Sequence, residues 1–151
     1  MAVSLTVANV LDGTIQSVKA VIPLSMEALT PTLVKQPYNH SSLGVLIGMT
    51  GDIRGRFIIE GLKETIGRIG EAMFGIPVEG EMLESFAAEP GNMIAGNLAA
   101  ILATNNLEMD ITPPTVLIGQ TKIYGFDKAL NLPIQIASIG SLNILLMIDM
   151  P

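Results

Sequence analysis

From Ala129 to Ile148 the chain carries no charged side chain, a run about as long as a membrane-spanning helix. Its interior argues against such a helix. Asn131, Pro133, Gln135, Ser138, Gly140, Ser141 and Asn143 interrupt it, and Leu130, Leu132, Ile134 and Ile136 alternate with other residues. A period of two marks a strand with one buried face. The run therefore predicts two strands turning at Gly140-Ser141, with no insertion into a membrane. The same alternation recurs at Leu43, Val45, Ile47 and Met49, followed by the turn residues Thr50-Gly51-Asp52 and a second strand over Arg56–Glu60. That pattern predicts a hairpin. Met109–Gly119 and Lys122–Phe126 read as further strands.

The helical segments obey a different period. Val10, Leu11, Ile15 and Val18 give a first helix over Asn9–Val21, and Leu62, Ile66, Ile69 and Met73 give a second, stopped by Gly75 and Pro77. Glu81–Asn105 is the longest helical pattern. Pro23 ends the first helix, and Pro31 and Pro37 predict an irregular segment after it. The order is helix, two strands, two helices, four strands. It predicts an α+β fold, one domain over 1–151, with a mostly antiparallel β-sheet of about six strands packed with long helices. No linker or internal repeat is evident in the sequence.

Composition narrows the function classes. The chain has 151 residues, enough to bury a core without staples. It has no cysteine, which removes disulfides and thiolate chemistry and fits a cytoplasmic protein. The net charge is −6, and the eight basic residues are scattered, so nucleic acid is not an expected partner. Hydrophobic residues make up 49% and charged ones 15%, which predicts a buried subunit interface and a homodimer. No secretory signal is visible over Met1–Asn9.

The helix over Glu81–Asn105 carries two stripes at about 100° per residue. Phe86, Met93, Ile94, Asn97, Leu98, Ile101 and Leu102 form a broad face read as core. Ser85, Glu89, Asn92, Gly96, Ala99 and Ala103 form a second stripe, smooth except for one carboxylate and one amide. A solvated face normally carries Lys, Glu, Gln or Arg. By geometry alone the stripe fits either packing against a helix or subunit, with Glu89 and Asn92 as ordinary edge residues, or a surface that another backbone approaches.

The run Ser85-Phe86-Ala87-Ala88-Glu89-Pro90-Gly91-Asn92-Met93-Ile94-Ala95-Gly96-Asn97 resembles the signature of the CheC/CheX/FliY chemotaxis phosphatases. Ser85, Glu89 and Asn92 match it in order and spacing, Pro114 stands where a downstream proline belongs, and Gly48–Gly55 resembles the family's upstream hairpin. A single Glu/Asn pair resembles the CheX type, because CheC-like proteins carry the pair twice. Pro90 departs from the pattern and predicts a kink between the two key residues.

The resemblance implies a phosphatase acting on the aspartyl phosphate of a CheY-type response regulator. The regulator would supply both the phosphoaspartate and Mg²⁺, so no cofactor of the chain's own is expected. The catalytic candidates are Glu89 and Asn92. A neutral amide can accept a hydrogen bond from water while donating to phosphoryl oxygens, so Asn92 is the candidate for positioning the attacking water. Glu89 would repel phosphate and is instead the candidate for pairing with a lysine of the regulator. Ser85, Gly96 and Ala99 are partner-binding candidates. The alternatives are a non-catalytic regulator-binding module and a structural dimerisation domain. His40, the one histidine, reads as a surface-loop residue, and no acidic cluster suits a metal.

Overall fold

The computed structural model describes residues 2–126 and 128–149, with side chains from residue 6 onward. Helix α1 (Ala2–Val21) is followed by three short strands, β1 (Met26–Ala28), β2 (Thr32–Lys35) and β3 (Tyr38–His40). Two long strands, β4 (Leu43–Gly51) and β5 (Gly55–Gly61), lead into helices α2 (Lys63–Phe74) and α3 (Glu81–Thr104). Then come β6 (Met109–Ile111), β7 (Thr115–Ile118), β8 (Thr121–Ile123), β9 (Lys128–Ile136) and β10 (Gly140–Ile148).

The main sheet runs β1-β9-β10-β5-β4-β6, with β2 also on β9 and β7 also on β4. All these pairs are antiparallel. Each edge is thus one bent strand in two pieces, and the sheet is six strands wide, as the alternation predicts. The segment between Pro23 and Pro37 departs from expectation. It holds β1 and β2 rather than irregular chain, and β3 follows directly after Pro37. Pieces of three or four residues are too short to show a period, and proline is compatible with a sheet edge. Similarly, Met109–Gly119 is two strands, broken at Thr112-Pro113-Pro114. The final turn lies over 137–139, just before Gly140.

Alternation splits the sheet into two faces. Val45, Ile47, Phe57, Leu132, Ile134, Ile144 and Leu146 point into the main core under the helices, with Ile94, Leu98 and Leu102 of α3. Ile58, Leu145 and Met147 point the other way, under a small ribbon made by β3 and β8 with Ile123 and Phe126.

An internal repeat invisible in the sequence is plain in the backbone. The bounds 26–28, 32–35 and 38–40 return at one constant spacing as 109–111, 115–118 and 121–123. Their partners exchange accordingly: β1 and β2 line β9, whereas β6 and β7 line β4. The second half repeats the first about an axis between β5 and β10. At that same spacing Pro31 matches Pro114, and along the preceding helices Asn9 matches Asn92, Gly13 matches Gly96 and Thr6 matches Glu89.

Candidate active site on helix α3

Helix α3 runs unbroken from Glu81 to Thr104 through Pro90. Its orientation is set by small residues. Ala87, Gly91 and Ala95 are buried together with Ile94, Leu98 and Leu102. A Cβ at Gly91 would lie 3.0 Å from Val45 of β4, so glycine there lets the helix close onto the sheet. The same inward turn takes Pro90, which is buried. A proline lacks the N–H that the helix uses at this point, but the uninterrupted helix on both sides absorbs the loss.

With Pro90 and Gly91 inward, helix geometry throws the residues on either side outward. Glu89 and Asn92 are both exposed, one turn apart, on the same face. Ser85 and Gly96 continue that face and are exposed too, while Ala99 is half-buried at its edge. A Cβ at Gly96 would meet nothing within 4 Å. The stripe is therefore open surface in this chain, not internal packing. One expectation fails here: Met93 does not join the core but is 45% exposed. The buried face is centred on Gly91, Ile94, Leu98 and Leu102, and this rotates Met93 out beside Glu89.

The stretch of chain that carries the pair is acidic. Between Arg68 and Lys122 there are seven acidic residues and no basic one. The pair also lies outside the four main grooves. Grooves of about 810, 440, 400 and 440 Å³ are lined by other residues, and none of the four includes Ser85, Glu89, Asn92 or Gly96. A convex helix face cannot enclose a small substrate or exclude water from it. Among the described residues no group of three His, Cys, Asp or Glu side chains could hold a metal ion. Chemistry at Glu89 and Asn92 thus needs a second surface to complete the site.

The family model described as chemotaxis phosphatase CheX matches residues 43–128. The chain is 35% identical over 138 residues to the CheY-P phosphatase CheX of Thermotoga maritima, covering 87% of this chain and 88% of that protein. This chain belongs to the CheX family. Solved structures agree on the fold. The CheC-like superfamily protein from Shewanella sp. PV-4 is 22% identical with a TM-score of 0.78, covering 95% of this chain and 97% of that one. The CheX of the CheX-CheY-BeF3-Mg²⁺ complex from Borrelia burgdorferi gives the same figures. FliY of Thermotoga maritima is 12% identical with a TM-score of 0.66, covering 91% and 84%. Among the described residues of this CheX-family chain no helix is long and apolar enough to cross a membrane.

A second cluster lies on the opposite face of the sheet. His40 is not a loop residue; it ends β3 and is 1% exposed. Its Nδ1 bonds the Glu60 carboxylate of β5, which also accepts the Tyr38 hydroxyl proton. Gly44 makes the room, since a Cβ there would lie 2.7 Å from the imidazole. Burial, and then the hydrogen bond and charge of Glu60, push the Tyr38 phenol well above its ordinary 10.0. Two sequence signals pointed here: the i, i+2 spacing of Tyr38 and His40, and a carboxylate closing the apolar run Phe57-Ile58-Ile59. The cluster pins the β3–β8 ribbon to the sheet, with α3 on the far side.

Proposed function

We propose that this chain hydrolyses the aspartyl phosphate of a CheY-type response regulator at the exposed Glu89–Asn92 face of α3. The observation that carries the reading is the convexity of that face. Two polar side chains stand on an open helix, outside the four main grooves, so the partner brings the pocket. The regulator supplies the phosphoaspartate and the Mg²⁺, and the chain supplies none of its own. The named activity of the Thermotoga relative supports the same reading.

In the complex, Asn92 Oδ1 accepts a hydrogen bond from the attacking water, and its amide N–H donates to a phosphoryl oxygen. Water oxygen bonds to phosphorus as the bond from phosphorus to the aspartyl oxygen breaks, releasing a carboxylate and inorganic phosphate. Positioning and charge neutralisation provide most of the acceleration in such transfers. Glu89 pairs with a lysine of the regulator and holds the helix in line. Gly96 leaves space for the regulator's loops, with Ser85 and Ala99 at the rim. The reading puts the chain in the cytoplasm with that regulator. The test is the decay of CheY-type regulators charged with acetyl phosphate. Faster decay on adding the chain supports the reading, and unchanged decay across a panel refutes it.

The same reading makes the chain a homodimer. The edge pieces β2 and β7 have open outer sides, and they carry Leu33 and Ile118, which are 68% and 48% exposed. Unpaired apolar edges favour pairing with a second chain. Sedimentation at micromolar concentration is expected to give twice the chain mass of 16.0 kDa. A single-chain mass would contradict it.

A further inference from the structure

Beside the Glu89–Asn92 face the surface is apolar, and nothing in the monomer uses it. Met82 and Met93 are 58% and 45% exposed on α3. Glu89 lies between them on the same side of the helix, by the i, i+4 and i, i+7 relation. Phe74, at the end of α2, is 53% exposed. It packs edge-on against Phe86 with ring centroids 5.3 Å apart. Phe86 is itself buried, one turn from Met82 and from Glu89, and so seats Phe74 beside them. Exposed methionines are costly in water and give an adaptable contact to a partner.

The rim of this strip is mainly acidic, with Lys63 and Arg68 further along α2 in the groove they share with Glu71 and Glu79. Glu71, Glu79 and Glu81 are exposed and Glu84 is half-buried. No basic residue occurs from Ile69 to Thr121. Such a surface repels an acidic partner and steers a basic one toward it.

We propose that Met82, Met93 and Phe74, flanked by Glu71, Glu79 and Glu81, select which regulator docks. The regulator that fits carries an apolar contact surrounded by lysine and arginine next to its phosphorylation pocket. This rests on the assignment of the Glu89–Asn92 face as the phosphatase surface. The methionines act as specificity residues that hold the partner and do not touch the phosphoryl group.

The test compares the wild-type chain with Met82→Gln/Met93→Gln and with Glu79→Gln/Glu81→Gln. The substrates are CheY-type regulators charged with acetyl phosphate, and binding is measured separately with the same regulators loaded with beryllofluoride and Mg²⁺. The methionine pair is expected to raise KM and Kd about tenfold while kcat falls by less than twofold. The glutamate pair is expected to slow association at low salt and to flatten its salt dependence. Across the panel, affinity should rise with positive charge around the regulator's phosphorylation pocket. Unchanged KM and Kd in the methionine variant, or a loss confined to kcat, would overturn the inference. If the wild type binds but fails to accelerate decay, and the methionine pair still weakens binding tenfold, the docking inference stands and the catalytic reading falls. If the wild type neither binds nor acts on any regulator, both fall.

Discussion

The two halves of the molecule share one backbone plan and differ in what their first helix presents. In the second half, α3 buries Pro90 and Gly91 and turns Glu89, Asn92 and Gly96 outward. In the first half, α1 has Asn9 and Gly13 at matching positions but threonine, not glutamate, at position 6. Its face is spent on packing. Asn9 is half-buried and Gly13 is buried, with a Cβ at Gly13 falling 2.8 Å from Leu98 of α3. A Cβ at Gly96 would meet nothing within 4 Å. One glycine serves a helix–helix contact and the other an open surface. A repeated fold therefore need not repeat a site: on the proposed reading the site requires the carboxylate, the amide and the exposure together.

The two glycines give the sharpest way to break this contrast. Gly96→Leu is expected to abolish regulator dephosphorylation while leaving the thermal midpoint equal or higher, since glycine is about 1 kcal/mol worse than alanine in a helix. Gly13→Leu is expected to act the other way. It overpacks the α1–α3 contact and costs about 1–3 kcal/mol of stability. Calorimetry and decay assays on both variants decide it. Unfolding of Gly96→Leu, or full activity in it, would erase the distinction between the helices.

Glu89 comes next in size. Glu89→Ala and Glu89→Gln are expected to weaken binding of the beryllofluoride-loaded regulator by at least about tenfold, because each removes one partner of an interfacial ion pair. Binding and turnover like wild type in both would reduce Glu89 to a surface residue, no different in role from Thr6.

The smallest effect concerns a feature of the first half alone. Tyr38 and His40 match Thr121 and Ile123 in the second half, which lack their polar chemistry. Tyr38→Phe removes the bond to Glu60 and is expected to cost about 1–2 kcal/mol with no loss of phosphatase activity. The pH dependence has a definite sign. The folded phenol holds its proton to a higher pH than the unfolded one, so its contribution is complete below pH 10.0. It is lost as pH rises further. Chemical denaturation of wild type and variant from neutral to alkaline pH should show the wild type losing stability faster above that value.

Much of this was legible in the sequence, and what was not has local causes. Residues 130–136 announced a strand because alternation survives wherever one face is buried. That Ser85, Glu89 and Asn92 share one face was legible because helix rotation is the same in every helix; their selection as candidates came from the family resemblance. Met93 was misread because rotation fixes only relative directions. Which direction is inward depends on Gly91 meeting Val45, a contact between distant segments. His40 was misread for the same reason, since its partner Glu60 lies across the sheet. The repeat escaped notice because the matching strands share bounds and pairing but few residues, Pro31 and Pro114 being among the few.

Asn92, and not its counterpart Asn9, is the residue proposed to hold the attacking water. This assignment is tested most directly by single-turnover decay of an acetyl-phosphate-charged CheY-type regulator at saturating Asn92→Ala, with Asn9→Ala run in parallel and binding measured on the same samples. The account predicts that Asn92→Ala binds within about threefold of wild type while its acceleration of decay falls by about 10²-fold or more, and that Asn9→Ala matches wild type. Decay at the wild-type rate with Asn92→Ala, or an equal loss with Asn9→Ala, would contradict it.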